Sequence, residues 1–160
     1  MNDKNSAGGF DFLHGSCRVA HRKLARRLAQ CTDWIVFPGT LEVQPVLSGV
    51  GNIDINLLDD PSGAYQAHSL RLRDPGTDRW SIWWIDWRRP DEVDPPVRGG
   101  FADGLGTFFS DDRFEGRAIR VRTTYRSIDP DHAEWTQAFA PAGTDDWEVN
   151  WIMEFERNGA

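Results

Sequence analysis

In AIRVRTTYR, residues 118–126, the side chains of Ile119, Val121, Thr123 and Tyr125 alternate with Arg120, Arg122, Thr124 and Arg126. A β-strand sends successive side chains to opposite faces, so this run has one buried and one wet side. WEVNWIMEF, residues 147–155, reads the same way. Trp147, Val149, Trp151, Met153 and Phe155 share one face, opposite Glu148, Asn150, Ile152 and Glu154. Turn signals punctuate such runs: LSG at 47–49, DPSG at 60–63, DPG at 74–76, DG at 103–104, EG at 115–116, DPD at 129–131 and PAG at 141–143. Their Pro, Gly and Asp residues preset or tolerate the backbone angles of a reversal. The pattern predicts strands over residues 17–28, 33–46, 50–58, 64–74, 79–88, 97–103, 105–110, 116–127, 132–140 and 146–157. About ten antiparallel strands with hairpin-length links favour an all-β, up-and-down barrel, because closure removes both exposed edges. One barrel domain is expected over residues 10–157, behind a disordered N-terminal tail at 1–9.

Two segments strain this pattern. VAHRKLARRLAQ, residues 19–30, puts Ala20, Leu24 and Leu28 at helical spacing among good helix formers, so periodicity leaves strand and helix both open. RRPDEVDPPVRGG, residues 88–100, carries prolines that cannot serve a central strand. It is expected to be a loop over one barrel end or an edge excursion.

The run Phe10-Asp11-Phe12-Leu13, followed by Gly15-x-Cys17-x-Val19, resembles the start of calycin-type barrels. In lipocalins and their bacterial relatives a short apolar turn leads into Gly-x-Trp, and the Trp plugs the closed end. The likeness continues through DWIVFPGTLEVQPVLSGVGNIDIN at 33–56 and DRWSIWWIDWRRP at 78–90. Together these blocks resemble a bacterial family of lipocalin- and nitrobindin-like architecture. The resemblance implies a calycin-like barrel and turns the 19–30 ambiguity into a long first strand. Cys17 stands where those relatives carry Trp, and a thiol fills far less volume than an indole. Either Trp34 or Trp151 is expected to fill the floor, or the closed end is looser.

Composition sharpens the function classes. Eight Trp and nine Phe in 160 residues, at a mean hydropathy of −0.55, suggest large rings gathered on an inner surface. No apolar run reaches the roughly 18 residues of a membrane span, and MNDKNSAGG lacks a signal-peptide layout, so a cytoplasmic protein without membrane contact is expected. Cys17 and Cys31 fit that compartment as free thiols. A net charge of −7 argues against nucleic-acid binding, and the basic run Arg18–Arg27 reads as a solvated face. His14, His21, His68 and His132 are dispersed, with no His-x-x-x-His or close Cys pair, so no metal and no cofactor are expected. The resemblance makes haem the cofactor to test. The last strand holds no His, which leaves only His132 or His68 as ligands.

Candidate chemistry lies in three strands. In GNIDIN the residues Asn52, Asp54 and Asn56 share a face opposite Ile53, Ile55 and Leu57. With the isoleucines lining the barrel, the polar trio is a wet outer face; turned inward, its buried groups need partners that a ligand could supply. WSIWWIDW is apolar on both faces, and Asp86 within it is either a buried carboxylate or a rim ion pair with Arg88. His68 shares a face with Gln66, Leu70 and Leu72, as a core histidine or a cavity base. The expected ligand-binding residues are Asn52, Asp54, His68, Trp84, Asp86, Tyr125, Trp135, Gln137 and Trp151. These point to a cavity for a small apolar or amphipathic molecule. The alternative is a barrel enzyme of cyclase, isomerase or dehydratase type with His68 or Asp54 as general base. The second apolar face of 79–88 predicts a homodimer through Trp83, Ile85 and Trp87.

Overall fold

The computed structural model describes residues 9–159, so the tail expected at 1–9 lies, Gly9 apart, outside the described residues. Ten antiparallel strands close a barrel in chain order: β1 (Gly15–Leu24), β2 (Trp34–Val46), β3 (Gly51–Leu58), β4 (Tyr65–Asp74), β5 (Arg79–Asp86), β6 (Val97–Ala102), β7 (Leu105–Phe114), β8 (Arg117–Asp129), β9 (His132–Pro141) and β10 (Glu148–Arg157). β10 pairs back onto β1 through Cys17 to Lys23 against Arg157 to Trp151, so neither strand is left as an edge. There is no α-helix among the described residues, hence none long and apolar enough to cross a membrane.

VAHRKLARRLAQ is strand only as far as Leu24, four residues short of the expected end. Leu28 and Gln30 take positive φ, which breaks the extended run and turns the chain back towards β2. β7 continues to Phe114, four residues beyond the predicted strand, in register with β8 through Phe114–Arg117. In β10 the register shifts between Val149 and Trp151. A bulge there turns Asn150 inward and fully buries it, while Val149 is exposed. The single inner face drawn from Trp147 to Phe155 therefore starts only at Trp151. Trp147 instead lies beside the outward Phe109 and Arg122.

The floor is filled from outside the strands. A 3-10 turn at Asp11–Leu13 tucks Phe10 and Leu13 under the barrel, both fully buried. The Phe10 ring meets Trp80 (4.8 Å), Tyr125 (4.9 Å) and Phe101 (5.0 Å) edge-on and stacks on Phe108 (5.6 Å). Arg157 holds the turn by donating to the carbonyls of Phe12 and His14. Phe10 thus supplies the volume that Cys17 does not. Trp34, expected there, sits exposed at the other end, and Trp151 lies in the upper half of the barrel.

At that other end, the mouth, lie the loops after β1, β3, β5, β7 and β9. The Pro-rich segment 87–96 is one of them, and its Arg88, Arg89, Asp94 and Pro95 border the interior. Cys31 belongs to the mouth loop after β1 while Cys17 is near the floor, so the two thiols stand free at opposite ends.

Candidate functional site

The polar trio of β3 points inward. Asn52, Asp54 and Asn56 are buried, and Ile55 and Leu57 face out. β3 pairs with β4 so that Asn52 lies opposite Arg71, which places the arginine inside with Tyr65, Ala67 and Ser69. The Arg71 guanidinium donates to Asn52 Oδ1 (2.9 Å), Asp54 Oδ2 (2.7 Å) and the Tyr125 hydroxyl (3.2 Å). It also lies 5.3 Å from the ring centres of both Phe10 and Tyr125. Burial opposes its charge, but Tyr125 and Asp54 more than offset that, and the arginine is held protonated. The second Asp54 oxygen, Oδ1, accepts from the Ser69 backbone N–H (2.7 Å).

Above this network is a cavity of about 220 Å³. Trp84, Trp135 and Trp151 form its walls with Ile82, Val121 and Phe139; Trp151 meets Trp84 (5.6 Å) and Trp135 (5.2 Å) edge-on. Three polar atoms around it are buried without a hydrogen-bond partner among the described residues: Asn56 Oδ1, Thr123 Oγ1 and Arg71 Nε. Each such atom carries a desolvation cost that a bound hydrogen-bonding group would relieve.

Cations gather at the mouth. Lys23 Nζ donates to Tyr65 Oη (2.9 Å), contacts Asp60 (3.4 Å) and sits 4.0 Å from the Trp151 ring centre. Burial lowers its pKa to about 8 despite Asp60, and burial also raises Tyr65 to about 12. Arg88 forks both carboxylate oxygens of Asp86 and lies 3.6 Å above the Tyr65 ring. Burial pushes the Asp86 carboxyl up, but the hydrogen bonds from Arg88 outweigh it and the net shift is downward. Arg27 also lines the cavity, 5.3 Å from the Phe139 ring, and burial depresses its pKa.

Of the expected residues, Asp54, Trp84, Asp86, Tyr125, Trp135, Gln137 and Trp151 all border the cavity. Gln137 donates to Asn150 Oδ1 (2.9 Å), the acceptor brought in by the bulge. Asn52 is buried below the cavity as a brace for Arg71. His68, expected in the cavity, does not reach it. It projects outward because Ser69 and Arg71 take the inner positions, and its Nδ1 contacts the Asp54 backbone carbonyl (2.6 Å) while Nε2 faces Gln66. His132 pairs with Asp129 at the outer floor, so neither imidazole named for haem reaches the cavity.

His21, Lys23, Arg27 and Arg71 were not among the expected residues. His21 is fully buried, stacked on Phe37 at 4.7 Å, and its Nδ1 accepts from Trp151 Nε1 (3.2 Å). Burial, with Lys23 adding to it, drives its pKa down to about 3. Between pH 6.5 and 3 the unfolded chain takes up a proton that the native imidazole refuses, so stability falls as pH falls through that window. From pH 7 to pH 5 His21 alone should cost about 2 kcal/mol. Urea denaturation at both pH values would show it, and His21→Gln should flatten that part of the slope; an unchanged slope would mean the ring is accessible to protons.

Compared with known proteins, the chain matches no family model and no curated sequence.

Proposed function

We propose that this barrel binds a small amphipathic molecule in its tryptophan-walled cavity, in the manner of a calycin-type carrier. The observation that carries the reading is the pairing of that cavity with buried polar atoms that lack partners at its inner end. Ligand sites combine apolar walls with placed polar groups, and here aromatic walls stand between a polar inner end and a charged mouth. An apolar cavity of about 150 Å³ takes benzene, so the volume here suits a body of roughly one to two rings. Saturable quenching of Trp emission by two-ring amphipathic probes is expected, with a rise in melting temperature. At 100 times its dissociation constant a ligand should add about 2.7 kcal/mol. A probe panel that moves neither signal would mean side chains close the cavity in solution.

The barrel-enzyme alternative rested on His68 or Asp54 as base. His68 faces outward, and both Asp54 oxygens are held, by Arg71 and by the Ser69 amide. The binding reading is therefore preferred.

The proposal extends to a cytoplasmic setting, in keeping with two free thiols and with outer-face ion pairs such as Arg18–Glu156 and Arg22–Glu154. It also retains a two-fold dimer through Trp83, Ile85 and Trp87. Trp80, Ile82, Trp84 and Asp86 take the inward positions of β5, which leaves Trp83 and Ile85 outward opposite Leu70 and His68. Trp87, just past the strand, is 63% exposed. Sedimentation at micromolar concentration should give a species of twice the 18.2 kDa chain mass.

A further inference from the structure

Four cationic side chains border the cavity mouth: Lys23, Arg27, Arg88 and Arg89. Three of them are committed. Arg89 contacts Glu92 and Asp94, both at 3.3 Å. Arg88 is forked on Asp86, and Lys23 is shared between Asp60 and Tyr65. Arg27 differs. Among the described residues no carboxylate lies within ion-pair distance of its guanidinium, and its recorded contact is with the face of Phe139. Glu148, the carboxylate whose charge acts on it, uses Oε1 to accept from the Leu28 backbone N–H (2.7 Å).

Arg27 is also held in place rather than hanging from a loose loop. The following residue, Leu28, takes positive φ and packs on the buried cluster of Ile119, Val121 and Phe139. With the Glu148 hydrogen bond, that packing turns the loop inward over the rim. A guanidinium partly withdrawn from water with no carboxylate in ion-pair reach is in an unfavourable place, and it gains most from a planar anion that it can fork.

Resting on the binding reading above, we propose that the cavity's ligand is a carboxylate on a one- to two-ring apolar body, with Arg27 forking the carboxylate at the mouth. The ring body lies against Trp84, Trp135 and Trp151, and any inner polar substituent meets Asn56 and Thr123. One uncommitted arginine matches one negative charge. A dianionic phosphate would need a second free cation, and Lys23, Arg88 and Arg89 are already paired. Of the acids at this rim, Asp86 and Asp94 are paired with Arg88 and Arg89, and Asp112 has Oδ1 turned to the Arg113 amide (2.7 Å).

Three probes of one shape test this by calorimetric titration at pH 7: 2-naphthoate, 2-naphthamide and 2-naphthylmethylammonium. The carboxylate should bind at least tenfold more tightly than the amide, and the cation most weakly. Arg27→Met should bring the carboxylate down to within about twofold of the amide, and Arg27→Lys should keep part of the preference. A thermal melt of each variant confirms that it is folded. Equal affinity for carboxylate and amide, tightest binding of the cation, or a preference that survives Arg27→Met would overturn the proposal while leaving the cavity reading intact. No binding by any of the three would overturn both.

Discussion

Arg71→Met should destabilise the barrel by about 3–5 kcal/mol, the usual cost of removing one partner from a buried ion pair. Arg71 and Asp54 are 2% and 1% exposed, so removing the guanidinium leaves a buried carboxylate without its cation. The same change frees the oxygen of Asn52 and removes the cation between Phe10 and Tyr125. Against a total stability of order 5–15 kcal/mol, that loss is severe. Most of it belongs to the orphaned charge, so Arg71→Met combined with Asp54→Asn should recover at least half. The asparagine keeps an oxygen for the Ser69 amide and removes the net charge. Urea denaturation of the two variants measures the difference. A double variant no more stable than Arg71→Met would assign the loss to packing instead of charge. It also follows that Asp54→Ala is a poor probe of ligand binding, since it strands Arg71.

Phe10→Ala should cost about 3–5 kcal/mol as well, for a different reason. Phe10 is fully buried and touches four aromatic rings that arrive from β5, β6, β7 and β8, so no single strand can relax into the space. In a domain of this size the melting temperature should drop by roughly 10 °C. Phe12→Ala, two residues away on a half-buried ring, should lose well under half as much. Comparable drops for the two would mean that the 3-10 turn is stabilised as a unit and that Phe10 is no special plug.

The strands were most legible where the two faces differ in chemistry. β8 carries Ile119, Val121, Thr123 and Tyr125 inside and arginines outside, and the structure has that division unchanged. β3 to β5 are harder because both of their faces are mixed. Leu70 and Leu72 are as apolar as an inner face should be, yet they point out and Arg71 points in. A one-residue change of parity flips every side chain, and hydrophobicity gives no vote where the outside is also apolar. The inward Arg71 was signalled only by its partners. Asn52 and Asp54 are weak strand formers, and a carboxylate inside a barrel calls for a cation on a neighbouring strand. Asn150 was hidden by a bulge, which strict alternation cannot represent. Phe10 precedes the first strand in a 3-10 turn, where strand alternation assigns no inner or outer face and so gives no sign that its ring fills the floor.

The tryptophan-walled space should admit a ligand. The indole N–H signals of the eight tryptophans, followed by two-dimensional NMR during titration with 2-naphthoate, test it most directly. Trp84, Trp135 and Trp151 should shift together and saturate at one equivalent, while Trp80 beneath Arg71 and Trp83 on the outer face stay in place. Shifts confined to Trp83 and Trp87, or none at any indole, would mean that the cavity stays closed to ligand.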